Sequence, residues 1–273
     1  MKNSKIVGLG HHVPENVVTN ADLEKKMNTS DEWIRERTGI EERRFFTKGK
    51  DTIASMAAEA TKMALERANL QVEDIDMIIL ATITSDYYFP GSGVLLQREL
   101  GLGTIPCMDI KNQCSGFIYA LETADQFIKT GKYKTILVVG GEVQSSVLDY
   151  SDEGRAVSVI FGDGAGVAIV QPNEEEGKGV LSTHLHSDGN FAEELCILDP
   201  GGSRPERLYS EMTNLDKTFC YMNGSLVFKH AVTRFPEVIN EALDYNDLSV
   251  EDINLLVPHQ ANLRISAAVG KRL

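Results

Sequence analysis

The sequence predicts a layered α/β fold whose chain is duplicated, and three observations carry that reading. Apolar runs of strand length alternate with amphipathic stretches of helical length along the 273 residues. A twelve-residue segment recurs at a fixed offset of 178 positions. Two chemistry-bearing residues, a cysteine and a histidine, fall just after apolar strands, where open α/β sheets present ligands.

Strands are predicted at 4–10, 77–83, 105–110, 135–140, 165–170, 179–187 and 254–257, and helices at 20–27, 52–68, 93–100, 116–130, 226–244 and 262–273. Gly103-Thr104-Ile105-Pro106-Cys107-Met108-Asp109-Ile110 reads as a short buried strand. The stretch from Gly116 has apolar residues at helical spacing, and Gly131 is its stop.

Length and composition bound the possibilities. At 273 residues the chain exceeds an average domain, so one large or two coupled α/β units are expected. Apolar residues make up 42% and charged residues 25%, as in ordinary globular proteins. The formal net charge of −13 argues against a nucleic-acid partner, which needs a basic patch. No apolar run reaches membrane-span length, and Met1-Lys2-Asn3-Ser4-Lys5 lacks a signal-peptide core. Four cysteines without a C-x-x-C pair argue against a disulfide framework or a zinc site. A reducing, cytoplasmic location is expected, with no metal.

The repeat pairs Ala64–Ile75 with Ala242–Ile253, and seven of the twelve positions are identical. Each copy runs from a helix end through a turn into a strand. The chain is therefore expected to consist of an N-terminal half, 1–172, and a C-terminal half, 173–273, meeting in the polar stretch 171–178. The first half continues far beyond its copy of the repeat, whereas the second has twenty residues after Ile253 and ends within an amphipathic stretch. The second half is expected to be truncated.

Cys114, in Lys111-Asn112-Gln113-Cys114-Ser115-Gly116-Phe117, sits at the strand-to-helix elbow. A helix N-terminus lowers a thiol's pKa and favours a nucleophilic thiolate; alternatively, the cysteine is a small buried hydrophobe. His259 follows Asn254-Leu255-Leu256-Val257, opposite Ala81 in the repeat, and is a proton donor, a base, or a strand-end histidine held by a backbone carbonyl. The other histidines lack such a setting. Phe161-Gly162-Asp163-Gly164-Ala165-Gly166 leads into a strand rather than a helix, so it is a close-packed turn and not a dinucleotide fingerprint.

These segments resemble β-ketoacyl-acyl-carrier-protein synthase III of the thiolase superfamily. The likeness rests on Thr29-Ser30-Asp31-Glu32-Trp33-Ile34, Arg37-Thr38-Gly39-Ile40, Cys114-Ser115-Gly116-Phe117, Phe161–Gly166 and Pro258-His259-Gln260-Ala261-Asn262-Leu263-Arg264-Ile265, in the family's order. The resemblance implies a duplicated, thiolase-like α-β-α-β-α sandwich. It implies that Cys114 accepts an acyl group from acyl-CoA, and that His259 helps bind a malonyl thioester from acyl carrier protein while carbon dioxide is lost. Coenzyme A thioester is then a substrate, with no bound cofactor.

By the same resemblance, Thr29, Trp33, Arg37 and Arg155 hold coenzyme A, an indole stacking on the base and guanidinium groups meeting phosphate. Arg264, Lys271 and Arg272 form a basic patch for the acidic carrier protein. Phe89 caps the acyl pocket of the other subunit of a homodimer. The family's catalytic Asn on a Gly-Asn-Thr turn has no counterpart here. Gln113, Ser225 and a long stretch over 199–218 also depart from the family pattern. A starter-unit enzyme of secondary metabolism and a non-catalytic acyl-carrier-binding protein remain as alternative readings.

Overall fold

The computed structural model describes residues 3–175, 177–199, 201 and 218–273. In chain order the elements are β1 (Ser4–His12), β2 (Val17–Thr19), α1 (Asn20–Glu24), α2 (Asp31–Thr38), β3 (Glu42–Arg44), α3 (Ile53–Ala68), β4 (Met77–Ala81), α4 (Ser92–Glu99) and β5 (Cys107–Ile110). They continue with α5 (Gly116–Lys129), β6 (Ile136–Val143), α6 (Arg155–Ser158), β7 (Asp163–Pro172), β8 (Leu195–Cys196), β9 (Tyr221–Met222), α7 (Gly224–Tyr245) and α8 (Leu263–Gly270). The chain forms two compact units, each assembled from separate stretches: 1–17, 44–143 and 162–185 in one, 18–43, 144–161 and 186–273 in the other.

The first unit is a five-stranded mixed sheet in the order β1-β7-β6-β4-β5. β4 runs parallel to both β5 and β6, whereas β7 is antiparallel to β6 and β1. All five residues of β4 are buried, because helices cover both faces. Side chains alternate across the pleat. On one face Ile78, Leu80, Leu137, Val139, Val167 and Ile169 pack with α3 residues including Ile53, Ala57 and Ala60. On the other, Met77, Ile79, Ile136, Val138 and Val170 pack with Ala120, Ala124 and Ile128 of α5. Each large side chain so buried contributes about 1.5–3 kcal/mol.

Local chemistry sets the ends of these elements. Thr52 and Ser55 form a capping box at the start of α3, and the Asp86 carboxylate accepts from the Ile53 and Ala54 amides. The Asp109 carboxylate accepts from the Gly93 amide at the start of α4. β4 stops at Ala81 rather than at 83, because the Ile83 and Thr84 amides donate to the Glu142 carboxylate instead of a ladder. β6 runs past 140 to Val143 because its pairing with β7 continues to Asp163.

Both copies of the repeat fold alike. Asn69 and Asp247, equivalent positions, each have φ near 53°. Each is followed by a 3-10 turn, Val72–Asp74 or Val250–Asp252, with the same capping box. Beyond the turn the copies diverge. Met77–Ala81 becomes the buried strand β4, whereas 254–257 forms no strand, and Leu255 and Val257 are 79% and 72% exposed. No strand among the described residues pairs with that segment, and an apolar sequence alone cannot satisfy its backbone. The strand expected over 179–187 is also absent: Val180 donates to the Ser4 carbonyl, but no ladder forms beyond it.

In the second unit, Leu23, Met27, Ile34 and Val159 form a small core, and α7 packs on α8. The helix α2 was not among the predicted elements. It buries only Ile34 and Thr38, so its sequence shows no apolar stripe; Ser30 caps it by accepting from the Trp33 amide. Within the long stretch over 199–218, residues 200 and 202–217 lie outside those described.

The β1–α3 contact is close enough to demand glycine. A Cβ at Gly10 would overlap the Ala60 carbonyl oxygen and come within 2.9 Å of the Ala64 nitrogen. Gly10→Ala is expected to destabilise the first unit by about 1–3 kcal/mol or more, because backbone must shift to admit it. A denaturant midpoint equal to wild type would contradict that close packing.

Candidate active site

Cys114 lies where β5 gives way to α5. After Ile110 the chain makes a single 3-10 turn, Gln113–Ser115, before entering the helix at Gly116. Gln113 has φ +35°, a left-handed conformation that costs a non-glycine residue of order 1–3 kcal/mol. Gly116 is buried, and a Cβ there would lie 2.9 Å from Ala81 Cβ. The start of α5 is thus pressed onto the end of β4, which forces the sharp bend that carries Cys114. The elbow is as expected; the strain at Gln113 was not.

The thiol's electrostatics correct one expectation. Cys114 is an exposed residue, yet the protein around its sulfur removes enough hydration to push its pKa up. Glu142 adds to the rise by charge repulsion, and only the hydrogen bond from the residue's own amide opposes it. Cys114 therefore carries a raised pKa rather than the depressed one expected, with desolvation the first cause and the Glu142 charge the second. The thiol form is favoured in the free protein. Cys107 is still less reactive, its pKa pushed up to about 11 by burial. Cys196 is raised by burial as well, and none of the four cysteines forms a disulfide.

Glu142 was not singled out in the sequence, although a carboxylate directly after the apolar strand and Gly140-Gly141 was a usable sign. Its oxygens accept from the Thr82 hydroxyl, the Ile83 amide, and both the amide and hydroxyl of Thr84. Thr84 Oγ1 in turn accepts from the Val143 amide at 2.8 Å. Burial raises the Glu142 pKa, and these donors pull it back down. The carboxylate thereby stitches the end of β6 to the turn leaving β4. That turn leads to Tyr87, Tyr88 and Phe89, all exposed, with Phe89 at 81%.

The remaining expected residues lie in the second unit. Trp33 and Arg37 come from α2 and Arg155 from α6; the two guanidinium carbons sit 4.4 and 4.8 Å from the Trp33 ring centre. Arg155 also donates to the Asn28 carbonyl, and the Asn28 amide donates to Asp152. Thr29 Oγ1 is buried with no hydrogen-bond partner. Trp33, Arg37 and Arg155 thus form one cluster, and Thr29 directly follows the Asn28 whose carbonyl accepts from Arg155. His259 lies in the turn before α8; it is exposed, but desolvation lowers its pKa, which favours neutral imidazole at neutral pH.

Asn262 caps α8 by accepting from the Ile265 amide, and Leu263 lies against Gly39, whose φ of +76° ends α2. Arg264 leans over the Phe228 ring at 5.7 Å, and Arg272 donates to the Val232 carbonyl. Lys271 is exposed at the helix end. Cys114 belongs to the first unit and His259 to the second.

Comparison with known proteins bears on this arrangement. Residues 108–189 match the family profile of 3-oxoacyl-[acyl-carrier-protein (ACP)] synthase III. The β-ketoacyl-[acyl-carrier-protein] synthase III of Fusobacterium nucleatum is 43% identical over 273 residues, covering 100% of this chain and 81% of its own. The chain belongs to the β-ketoacyl-acyl-carrier-protein synthase III family. The Aliivibrio fischeri member is 45% identical over 271 residues, covering 99% of this chain and 81% of its own. The crystal structure of the Aquifex aeolicus synthase III superposes with a TM-score of 0.86 at 41% identity, over 98% of this chain and 80% of that one. The chain has the thiolase-like α/β fold of those relatives.

Glu142→Gln removes the charge that raises the Cys114 pKa. The pH midpoint for alkylation of Cys114, monitored by peptide mapping with iodoacetamide, should therefore move to lower pH. A midpoint that stays or rises would contradict the electrostatic link.

Proposed function

We propose that this protein transfers an acyl group from acyl-CoA to Cys114 and condenses it with malonyl-acyl carrier protein, releasing carbon dioxide and initiating fatty acid synthesis. The observation that carries the assignment is Cys114 itself, an unpaired cysteine on a strained elbow at the carboxyl ends of β4 and β5, inside the segment that matches the family profile. The Cys114 sulfur attacks the thioester carbonyl carbon, the carbon–sulfur bond to coenzyme A breaks, and the thiol proton passes to the departing sulfur. Because the thiolate is the attacking form, the raised pKa of Cys114 makes removal of its proton part of the transfer step.

In the second half-reaction the malonyl carboxylate leaves as carbon dioxide, and its bonding electrons pass to the adjacent carbon and the thioester oxygen. His259, neutral under ordinary conditions, donates a hydrogen bond to that oxygen. The carbanion attacks the Cys114 acyl carbon, and the Cys114 sulfur leaves with its electron pair. Trp33, Arg37, Arg155 and Thr29 hold coenzyme A. Arg264, Lys271 and Arg272 dock the acidic carrier protein, with Arg264 and Lys271 the freer of the three. Phe89, on its exposed aromatic turn, enters the acyl pocket of a second copy in a homodimer. The two halves 1–172 and 173–273 are read as a duplication, supported by the identical turns of the repeat. No described helix is long and apolar enough to cross a membrane, in keeping with a cytoplasmic enzyme.

Transfer of the acyl group without condensation is the alternative reading. Intact-mass analysis separates the possibilities. With short acyl-CoA the protein should gain one acyl group, and Cys114→Ser should gain none; no adduct on the unsubstituted protein would end the enzyme reading. His259→Ala should still acylate but release carbon dioxide from malonyl-acyl carrier protein about 10²–10³-fold more slowly. Acylation without any carbon dioxide release by the unsubstituted chain would favour transfer alone.

A further inference from the structure

Arg43 is the one described arginine held at 6% exposure, and none of its hydrogen bonds goes to a carboxylate. From the middle of β3 its guanidinium donates to three neutral oxygens: the Val18 carbonyl at 3.2 Å, Asn20 Oδ1 at 2.8 Å and the Val159 carbonyl at 3.1 Å. Burying a guanidinium is costly, and here the return is geometric, because its rigid fork spans segments far apart in the chain. Nη2 alone reaches both Asn20 and Val159.

The contact with Asn20 passes on to α2. Asn20 is itself 1% exposed, and its Nδ2 donates to Asp31 Oδ1 at 2.8 Å and to the Ile40 carbonyl at 2.9 Å. Arginine can only donate, so it fixes the amide with its oxygen toward Arg43 and its nitrogen toward Asp31. Asp31 opens α2, two residues before Trp33, and Ile40 follows the Gly39 that closes it. Val159, the other contact, is the cap of α6, whose first residue is Arg155. Arg37 of α2 and Arg155 of α6 both reach the Trp33 ring, at 4.4 and 4.8 Å from its centre.

We propose that Arg43 is a positioning residue for acyl-CoA capture: through Asn20 and Asp31 on one side and Val159 on the other, it sets α2 and α6 in the register that gathers Arg37 and Arg155 at Trp33. The proposal rests on the assignment of Trp33, Arg37 and Arg155 to coenzyme A. A lysine at position 43 keeps the charge but cannot span the three oxygens.

Trp33 is the only tryptophan in the chain, so its fluorescence reports this cluster alone. In Arg43→Lys, acrylamide quenching of Trp33 should rise at least about twofold, and KM for acyl-CoA about tenfold, with kcat and KM for malonyl-acyl carrier protein within about twofold of wild type. Asp31→Ala, which cuts the same relay at its exposed end, should move both readouts in the same direction, and it carries the test if Arg43→Lys does not fold. Folded variants with wild-type quenching and wild-type KM for acyl-CoA would overturn the proposal, as would equal losses toward both substrates, which indicate general loosening. Trp33→Phe distinguishes the underlying assignment. If it leaves KM for acyl-CoA unchanged, the coenzyme A reading fails, while quenching in the other variants still tests whether Arg43 positions Trp33.

Discussion

Burial of β4 on both faces is the constraint on which the first unit depends. Met77–Ala81 has no polar side chain to offer water, so each edge of the strand must be paired and each face covered. β5 and β6 pair with its edges, and α3 and α5 cover its faces. Parallel pairing needs crossovers, so the chain leaving β5 must turn at the carboxyl edge and return as a helix over the sheet. Gly116 makes that return tight by letting α5 start directly against Ala81. Cys114 is placed at the turn by this requirement, and Gln113 absorbs the bend as a positive φ.

Carboxylates then hold the edge that the apolar packing creates. Asp86 and Asp109 accept from the first amides of α3 and α4, and Glu142 gathers the Thr82–Thr84 turn. The environment that makes these carboxylates firm organisers also governs the thiol. Removing hydration raises the pKa of Cys114, and the Glu142 charge adds to it. Preorganisation and a low thiol pKa therefore pull against each other at this site, and preorganisation wins. In the second unit Arg43 plays the complementary part, a buried cation tying backbone to side-chain amide where the apolar core is small.

The repeat separates local from tertiary causes. Two segments with seven shared residues build the same turn, down to the positive φ at Asn69 and Asp247 and the capping box just after it. Turn and cap depend on neighbours within a few positions, so both copies obey the same code. The apolar residues that come next share a pattern too, yet only those after Ile75 become a strand. A ladder needs a partner, and sequence periodicity carries no information about whether one is at hand.

Much of this protein is legible in its amino-acid order. Composition, alternation and the repeat indicate the α/β class, and the match of Trp33, Arg37, Cys114 and His259 to one family indicates the chemistry to look for. Strand lengths are less legible where a side chain competes for backbone donors, as Glu142 does beyond Ala81. α2 escapes notice because it buries too little to leave an apolar stripe. By itself the sequence determined which residues could do chemistry and which segments prefer helix, strand or turn, since those preferences come from side chains and near neighbours. Only the tertiary structure decided how Cys114 ionises and how Trp33 is held. Those properties depend on hydration lost and hydrogen bonds made across distant parts of the chain, by Glu142 in one unit and Arg43 in the other.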